Sequence, residues 1–247
     1  MLEAPAVRIP SVDESPSTKL LPFVLALVAG SVDVIGFLGL DGLFVAHITG
    51  NLVILAAHVV AGAGAPLPLM LSVPVFVAAL ALTRVLAAAL ERAGVAPLAP
   101  LLLLQFALLC AFASISIAAG SRVESNAPAM VVAGMLGVCA MAVQNALVRI
   151  GLAGAPSTAV LTTNITLLTM DLGEMLLGRD ADRIVKARDR VRHTWPAIAG
   201  FLLGCVLGAG GEAALGLRSL LLPTALALIA LALGLSSKMT ATSSRPC

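Results

Sequence analysis

Val45-Ala46-His47-Ile48-Thr49-Gly50-Asn51-Leu52-Val53-Ile54-Leu55 has an echo later in the chain, Ala159-Val160-Leu161-Thr162-Thr163-Asn164-Ile165-Thr166-Leu167-Leu168. Thr49 answers Thr162, and Asn51 answers Asn164. Each phrase sets small and amide-bearing residues inside an apolar stretch long enough to cross a bilayer. A further polar position precedes each copy, Asp33 before the first and Gln144 and Asn145 before the second. Many transporters build a central site in this way, from two repeated halves that carry polar groups at membrane depth.

Around these phrases the chain is nearly featureless hydrocarbon. Of 247 residues, 60% are hydrophobic and 11% charged, and the mean hydropathy is +1.06. A soluble domain carries about 25% charged residues; this composition would expose apolar patches that water does not tolerate. The expected solvent is lipid. The segment 1–19 is polar and contains Pro and Ser, so it reads as a disordered tail. It does not read as a signal peptide, because the first apolar run starts late, is about 20 residues long and holds an acid. Cys110, Cys139, Cys205 and Cys247 are scattered without metal-ligand spacing. They read as small hydrophobes in helix packing, and neither a metal nor a cofactor is expected.

Runs of about 20 apolar residues fall at 20–40, 42–62, 67–90, 98–119, 127–148, 157–177, 195–217 and 220–236. Asp41-Gly42 reads as a turn between the first two, and 178–194 as the one sizeable loop. That loop holds Arg179, Arg183, Lys186, Arg188, Arg190 and Arg192, so the positive-inside rule makes it cytoplasmic. Eight crossings then put both termini inside, with 11 Lys+Arg inside and three outside, while Arg84 lies within a span. The expected fold is an all-α, polytopic membrane protein of about eight transmembrane helices. They form two four-helix repeats, 20–119 and 127–236, between cytoplasmic tails 1–19 and 237–247. An offset of four helices gives a parallel repeat; a re-entrant or broken helix would make it inverted.

The polar residues gather into one candidate substrate-binding set: Asp33, His47, Thr49, Asn51, Gln144, Asn145, Thr162 and Asn164. At 1.5 Å per residue, Asp33 and Asn51 lie at similar depths, about 10 Å below the outer end of their spans, and a contact between them is feasible. An acid that exchanges its proton at membrane depth is what proton-coupled transport uses. The competing reading is a structural Asp that bonds Thr49 or Asn51 and ties two helices together. His47, Asn51 and His58 share one helical face. Two histidines do not make a metal site. Arg84 either snorkels to the surface or pairs with Asp33. Gly200, Gly204 and Gly208 form a stripe for close packing within the chain or in a homo-oligomer. The basic loop meets anionic lipid head groups. With aromatics at 3% no stacking residues accompany it, so nucleic acid is not an expected partner.

Gly30-Ser31-Val32-Asp33-Val34-Ile35-Gly36-Phe37, followed by Phe44-Val45-Ala46-His47-Ile48-Thr49-Gly50-Asn51, resembles the hallmark of the YoaK family of bacterial membrane proteins. The stretch from Gly137 to Asn145, and later Thr162-Thr163, resembles its second-half signature, with Thr163 standing where a Gly would mirror the first half. The resemblance implies a bacterial inner-membrane location and a fold of this kind, and it carries no activity with it.

Three functions compete. A small secondary transporter or permease, proton-coupled and acting on a small solute, accounts for the polar set. A non-transporting scaffold or partner subunit would rest on the glycine stripe. An enzyme is not expected, since no HExxH motif, nucleotide-phosphate loop or Ser–His pair is visible. A cavity reaching Asp33 would favour transport, and a sealed Asp33 would favour the scaffold.

Overall fold

The computed structural model describes residues 16–120, 126–152 and 154–243, with side chains placed for 20–120, 126–152 and 154–236. The expected N-terminal tail falls outside the described residues up to position 15, and α1 starts at Pro16. Among the described residues every regular element is helical: α1 Pro16–Gly39, α2 Ile48–Val60, α3 Leu67–Arg92, α4 Leu98–Ala119, α5 Pro128–Gly151, α6 Leu161–Leu177, α7 Ala181–Leu215, a 3-10 turn Gly216–Leu220, and α8 Leu221–Ser243. Proline sets two of the starts, in the first turns of α3 and α5, where its missing N–H costs nothing. Asp180 sets a third, its carboxylate accepting from the N–H groups of Asp182 and Arg183.

Five stretches are long and apolar enough to cross a membrane: Leu20–Gly39, Leu67–Arg92, Leu98–Ala119, Pro128–Gly151 and Ala181–Ser236, the last holding α7, the 3-10 turn and α8. The chain is a multi-pass membrane protein. Three expectations change. The run 42–62 is helical only over the 13 residues of α2, short of the roughly 20 that a crossing needs, and 157–177 only over the 17 residues of α6, at the lower end of that range. The segment 178–194 is not a loop: α7 begins at Ala181 and runs 35 residues, about 52 Å. Asp41-Gly42 is the expected turn, with φ of 55° and 84°.

α1 and α5 form the centre, each with 72% of its apolar window buried, against 11% for α3. α1 packs on α7 and α8, α5 on α3 and α4, α2 on α3, α6 on α7, and α4 on α8. Exchanging α1–α4 for α5–α8 maps this set of helix pairs onto itself. The α1–α7 pair is the closest. Gly200 lies against the Phe23 backbone, Gly204 against Leu27 and Gly208 against Ser31, where an added Cβ would sit 2.7 Å from the Ser31 carbonyl oxygen. The glycine stripe therefore works within the chain. Both sets of numbers rise together, so α1 and α7 are parallel.

The central helices run the other way. Gly134 of α5 meets Leu40 and Leu43, at the far end of α1, while Gln144 reaches back to the carbonyl oxygen of Leu25. α1 and α5 are antiparallel, which overturns the parallel relation expected between the halves. α3 starts beside the start of α5, the N–H of Leu67 donating to Asn126 at 3.1 Å. Gly151, at the end of α5, meets Leu98 at the start of α4.

Candidate functional site

After α1 the chain folds back on itself. Oδ1 of Asp33 accepts from the N–H groups of Ala46 at 2.8 Å and His47 at 3.3 Å, and Oδ2 meets Nδ1 of His47 at 2.6 Å. Asp33 lies six residues before Gly39, so the segment 40–47 re-enters by about 9 Å before α2 begins. Asn51, in the first turn of α2, grips the same segment from the other side. Its Oδ1 accepts from the N–H of Phe44 at 2.9 Å, and its Nδ2 donates to the Phe44 carbonyl at 2.7 Å. Two buried side chains thus satisfy backbone groups that a continuous helix would have satisfied itself. Gly36 and Gly50 leave room for it: a Cβ would stand 3.1 Å from the Leu43 carbonyl oxygen at Gly36 and 2.9 Å from the Phe44 ring at Gly50. Phe37 stacks on Phe44, with ring centroids 4.6 Å apart, and His47 sets its edge on Phe201 at 5.3 Å. The side chains of Asp33 and His47 are 5% and 35% exposed, so the histidine is the accessible member of the pair.

α2 cannot continue toward the start of α1. It would then end about 20 Å below the level of Asp33, and the connection 61–66 would have to climb some 30 Å to reach Leu67 beside Asn126. Six linking residues span at most about 25 Å when fully extended. These include a tight turn, Ala63 N–H donating to the His58 carbonyl. α2 therefore resumes the direction of α1.

The second half repeats the device with neutral groups. Asn164 donates to the carbonyl of Ser157 at 2.5 Å, across the same seven-residue separation as Asn51 and Phe44. Gln144 takes the tethering role, donating to Thr158 Oγ1 at 3.0 Å and to the Leu25 carbonyl at 2.9 Å, and accepting from Gln105 at 2.6 Å. Sequence reading missed Gln105 and Thr158. Gln105 sits in an apolar run of α4 with nothing beside it to mark it, although a lone buried amide in such a run is itself a signal.

Of the eight expected site residues, Asp33, His47 and Asn51 meet around one re-entrant segment, and Gln144 and Asn164 hold the other. Asp33 is bonded to His47 and not to Asn51. Thr49 and Thr162 face outward, exposed, and Asn145 bonds the Met141 carbonyl of its own helix. Arg84 is 61% exposed and lies 3.8 Å from Glu91, which excludes it as the partner of Asp33. Among the described residues no group of three or more His, Cys, Asp or Glu is placed to hold a metal. A second polar cluster lies two turns beyond Asn164 on α6: Arg190 of α7 forks onto the buried Asp171, Nε at 2.9 and 3.1 Å and Nη2 at 2.5 Å.

Apolar spans interrupted by non-helical backbone, with buried polar side chains as its tethers, define an integral membrane protein. The family model described as a protein of unknown function, DUF1275, matches residues 21–233, and the chain belongs to that family. Neither the curated proteins nor the solved structures gave a match.

Proposed function

We propose that the protein is a small secondary transporter or permease, coupled to protons, with its site between two inverted repeats. One observation carries the reading: α1–α2 and α5–α6 are each a helix that breaks, re-enters and resumes, and their leading helices run in opposite senses. Discontinuous helices in inverted repeats are how many transporters place polar groups near the bilayer midplane. In this reading the two four-helix repeats make six crossings: α1–α2, α3 and α4, then α5–α6, α7 and α8. The self-mapping set of helix pairs supports it. So does depth, because Asp33 and the Leu25 carbonyl held by Gln144 flank the middle of Leu20–Gly39.

Charge supports the same path. Six crossings leave 12 Lys+Arg on the side where α1 begins (Arg8, Lys19, Arg92, Arg149, the six of 178–194, Lys238 and Arg245) and two, Arg122 and Arg218, on the other. This asymmetry exceeds that of the eight-crossing path and supports cytoplasmic termini. The resemblance to the YoaK family is in keeping with a bacterial inner membrane. Asp33 would be the proton-carrying group and His47 its gate to solvent. A carboxylate with neutral amides suits a small cation or neutral polar solute better than an anion. No cofactor and no enzymatic step enter the reading.

A second reading has an observation of its own. Both oxygens of Asp33 are occupied by partners from 46–47, which is what a non-transporting scaffold or partner subunit, alone or as a homo-oligomer, would need. Proteoliposomes with a pH-sensitive dye inside, challenged with a panel of small cations and polar solutes, separate the two. Solute-driven proton movement present in wild type and lost in Asp33→Asn is the expected result. Equal, silent traces from both proteins would overturn transport in favour of the scaffold.

A further inference from the structure

The Asp171–Arg190 fork has no part in the re-entrant segments, and it stands beside a cleft of about 270 Å³ lined by Met170, Asp171, Glu174, Arg183, Lys186 and Arg190. Arg183, Lys186 and Arg190 follow one another at spacings of three and four, so they share one face of α7, and Ala187, fully buried between them, lets that face approach α6. The acids opposite, Asp171 and Glu174, are unequal: Glu174 is half-buried and acts on Arg190 through its charge alone. Asp171 is buried, its side chain 8% exposed, and is satisfied by Arg190. Arg190 spends Nε and one side of Nη2 on this carboxylate, and Nη1 is on the other edge of the guanidinium. Arg183 is held loosely by Asp180 at 3.6 Å. Among the described residues Lys186 has no acid within ion-pairing distance. The segment 179–192 carries six Lys+Arg against three Asp.

The level of the cleft follows from α7 itself. Its polar turns end at Trp195, which is 53% exposed, and indole rings mark the border between hydrocarbon and head groups. Gly200 lies beside Phe23, so Trp195 stands level with the start of the apolar stretch of α1 at Leu20. Arg190 is five residues beyond Trp195, about 7 Å outward, which is the depth of lipid phosphates.

We propose that this cleft between α6 and α7 binds the phosphate of an anionic phospholipid, with Lys186, Arg183 and the free edge of Arg190 as its donors. Asp171 is a positioning residue: it pins the guanidinium across the cleft and presents Nη1 to the phosphate. The proposal is independent of transport, because a scaffold would need the same anchoring.

The test uses the full chain in detergent, titrated with phosphatidylglycerol or phosphatidylcholine and read by native mass spectrometry. Wild type should retain phosphatidylglycerol preferentially. Lys186→Gln should cut that preference about fivefold, and Arg183→Gln with Lys186→Gln about twenty- to thirtyfold, on the usual strength of one cation at a lipid surface. Neither variant touches a re-entrant segment, and an unchanged melting temperature in detergent alone would verify the fold. Asp171→Asn should keep all three cations yet lose several-fold in preference, an effect that charge counting alone would give the opposite sign. Undiminished preference in the double variant would overturn the proposal. So would stabilisation by millimolar inorganic phosphate equal to that by the lipid, which would make the ligand a free anion.

Discussion

Gln144 donates to the carbonyl oxygen of Leu25 at 2.9 Å, and this contact sets how the two central helices face each other. Leu25 is in the lower part of α1, whereas Gly134, ten residues before Gln144, meets Leu40 and Leu43 at its top. Gln144 also ties down Thr158 and receives Gln105. Gln144→Leu is expected to strand two buried polar groups at once, Nε2 of Gln105 and Oγ1 of Thr158, each costing about 1–3 kcal/mol. Sharply lower membrane abundance and melting temperature should follow, measured by fluorescence size-exclusion against wild type.

The path of the chain can be read by labelling. With the native cysteines replaced, a cysteine at Gly64 should react with an impermeant maleimide from the same side as one at Gly216, and from the opposite side to one at Gly94. A path of eight full crossings puts Gly64 on the side of the termini. Labelling of Gly64 from that side would return the topology to eight spans.

Asn51 and Thr49 are neighbours with opposite expected sensitivities. Asn51→Leu removes both bonds to the Phe44 backbone and leaves a buried N–H and C=O unpaired, a loss of about 2–4 kcal/mol. Thr49→Val changes an exposed side chain and should fall within about 0.5 kcal/mol of wild type. Thermal unfolding in detergent compares the two. Equal effects would mean that Asn51 does not hold the re-entrant segment.

A similar contrast tests the α1–α7 contact. Gly204→Leu drives a side chain into the Leu27 backbone, 2.5 Å from its carbonyl oxygen at the first added atom, and should cost about 3 kcal/mol or more. Gly210→Ala, where nothing lies within 4 Å, should be neutral or slightly stabilising. The melting temperatures of the purified variants report both.

Much of this was legible in the sequence. Hydropathy placed α4 to the residue and α3 within two, because their apolar runs end where charge, Gly or Pro begins. It misplaced α2 and α6 for a physical reason. Leu43-Phe44-Val45-Ala46 is as apolar as a helix, and only the tethers from Asp33 and Asn51 hold it out of helical form. A transfer scale sums side chains and cannot register where backbone N–H groups find their acceptors. The same blindness hides the direction of the central helices: with 42–62 counted as a full crossing, α1 and α5 are expected to be parallel, and they are antiparallel. The charge asymmetry is the same in sense for either path, because the basic residues of 178–194 dominate both counts. Asp33, His47 and Asn51 were found by cost: polar groups in hydrocarbon demand partners. Which partners they chose was not legible, because Asn51 reaches a backbone amide that has no letter of its own.

The glycine-lined seam between α1 and α7 also bears on biosynthesis. The surface of α1 that fits Gly200, Gly204 and Gly208 is finished when the first helix leaves the ribosome, but its complement is made more than 150 residues later. At about 5–20 residues per second, that face waits on the order of ten seconds in the membrane, with its close-fitting partner still untranslated. Whatever shelters α1 in that interval, whether lipid, an insertase or the early-arriving α5, must let go when α7 emerges. The tightest joint in the molecule is therefore among the last to close.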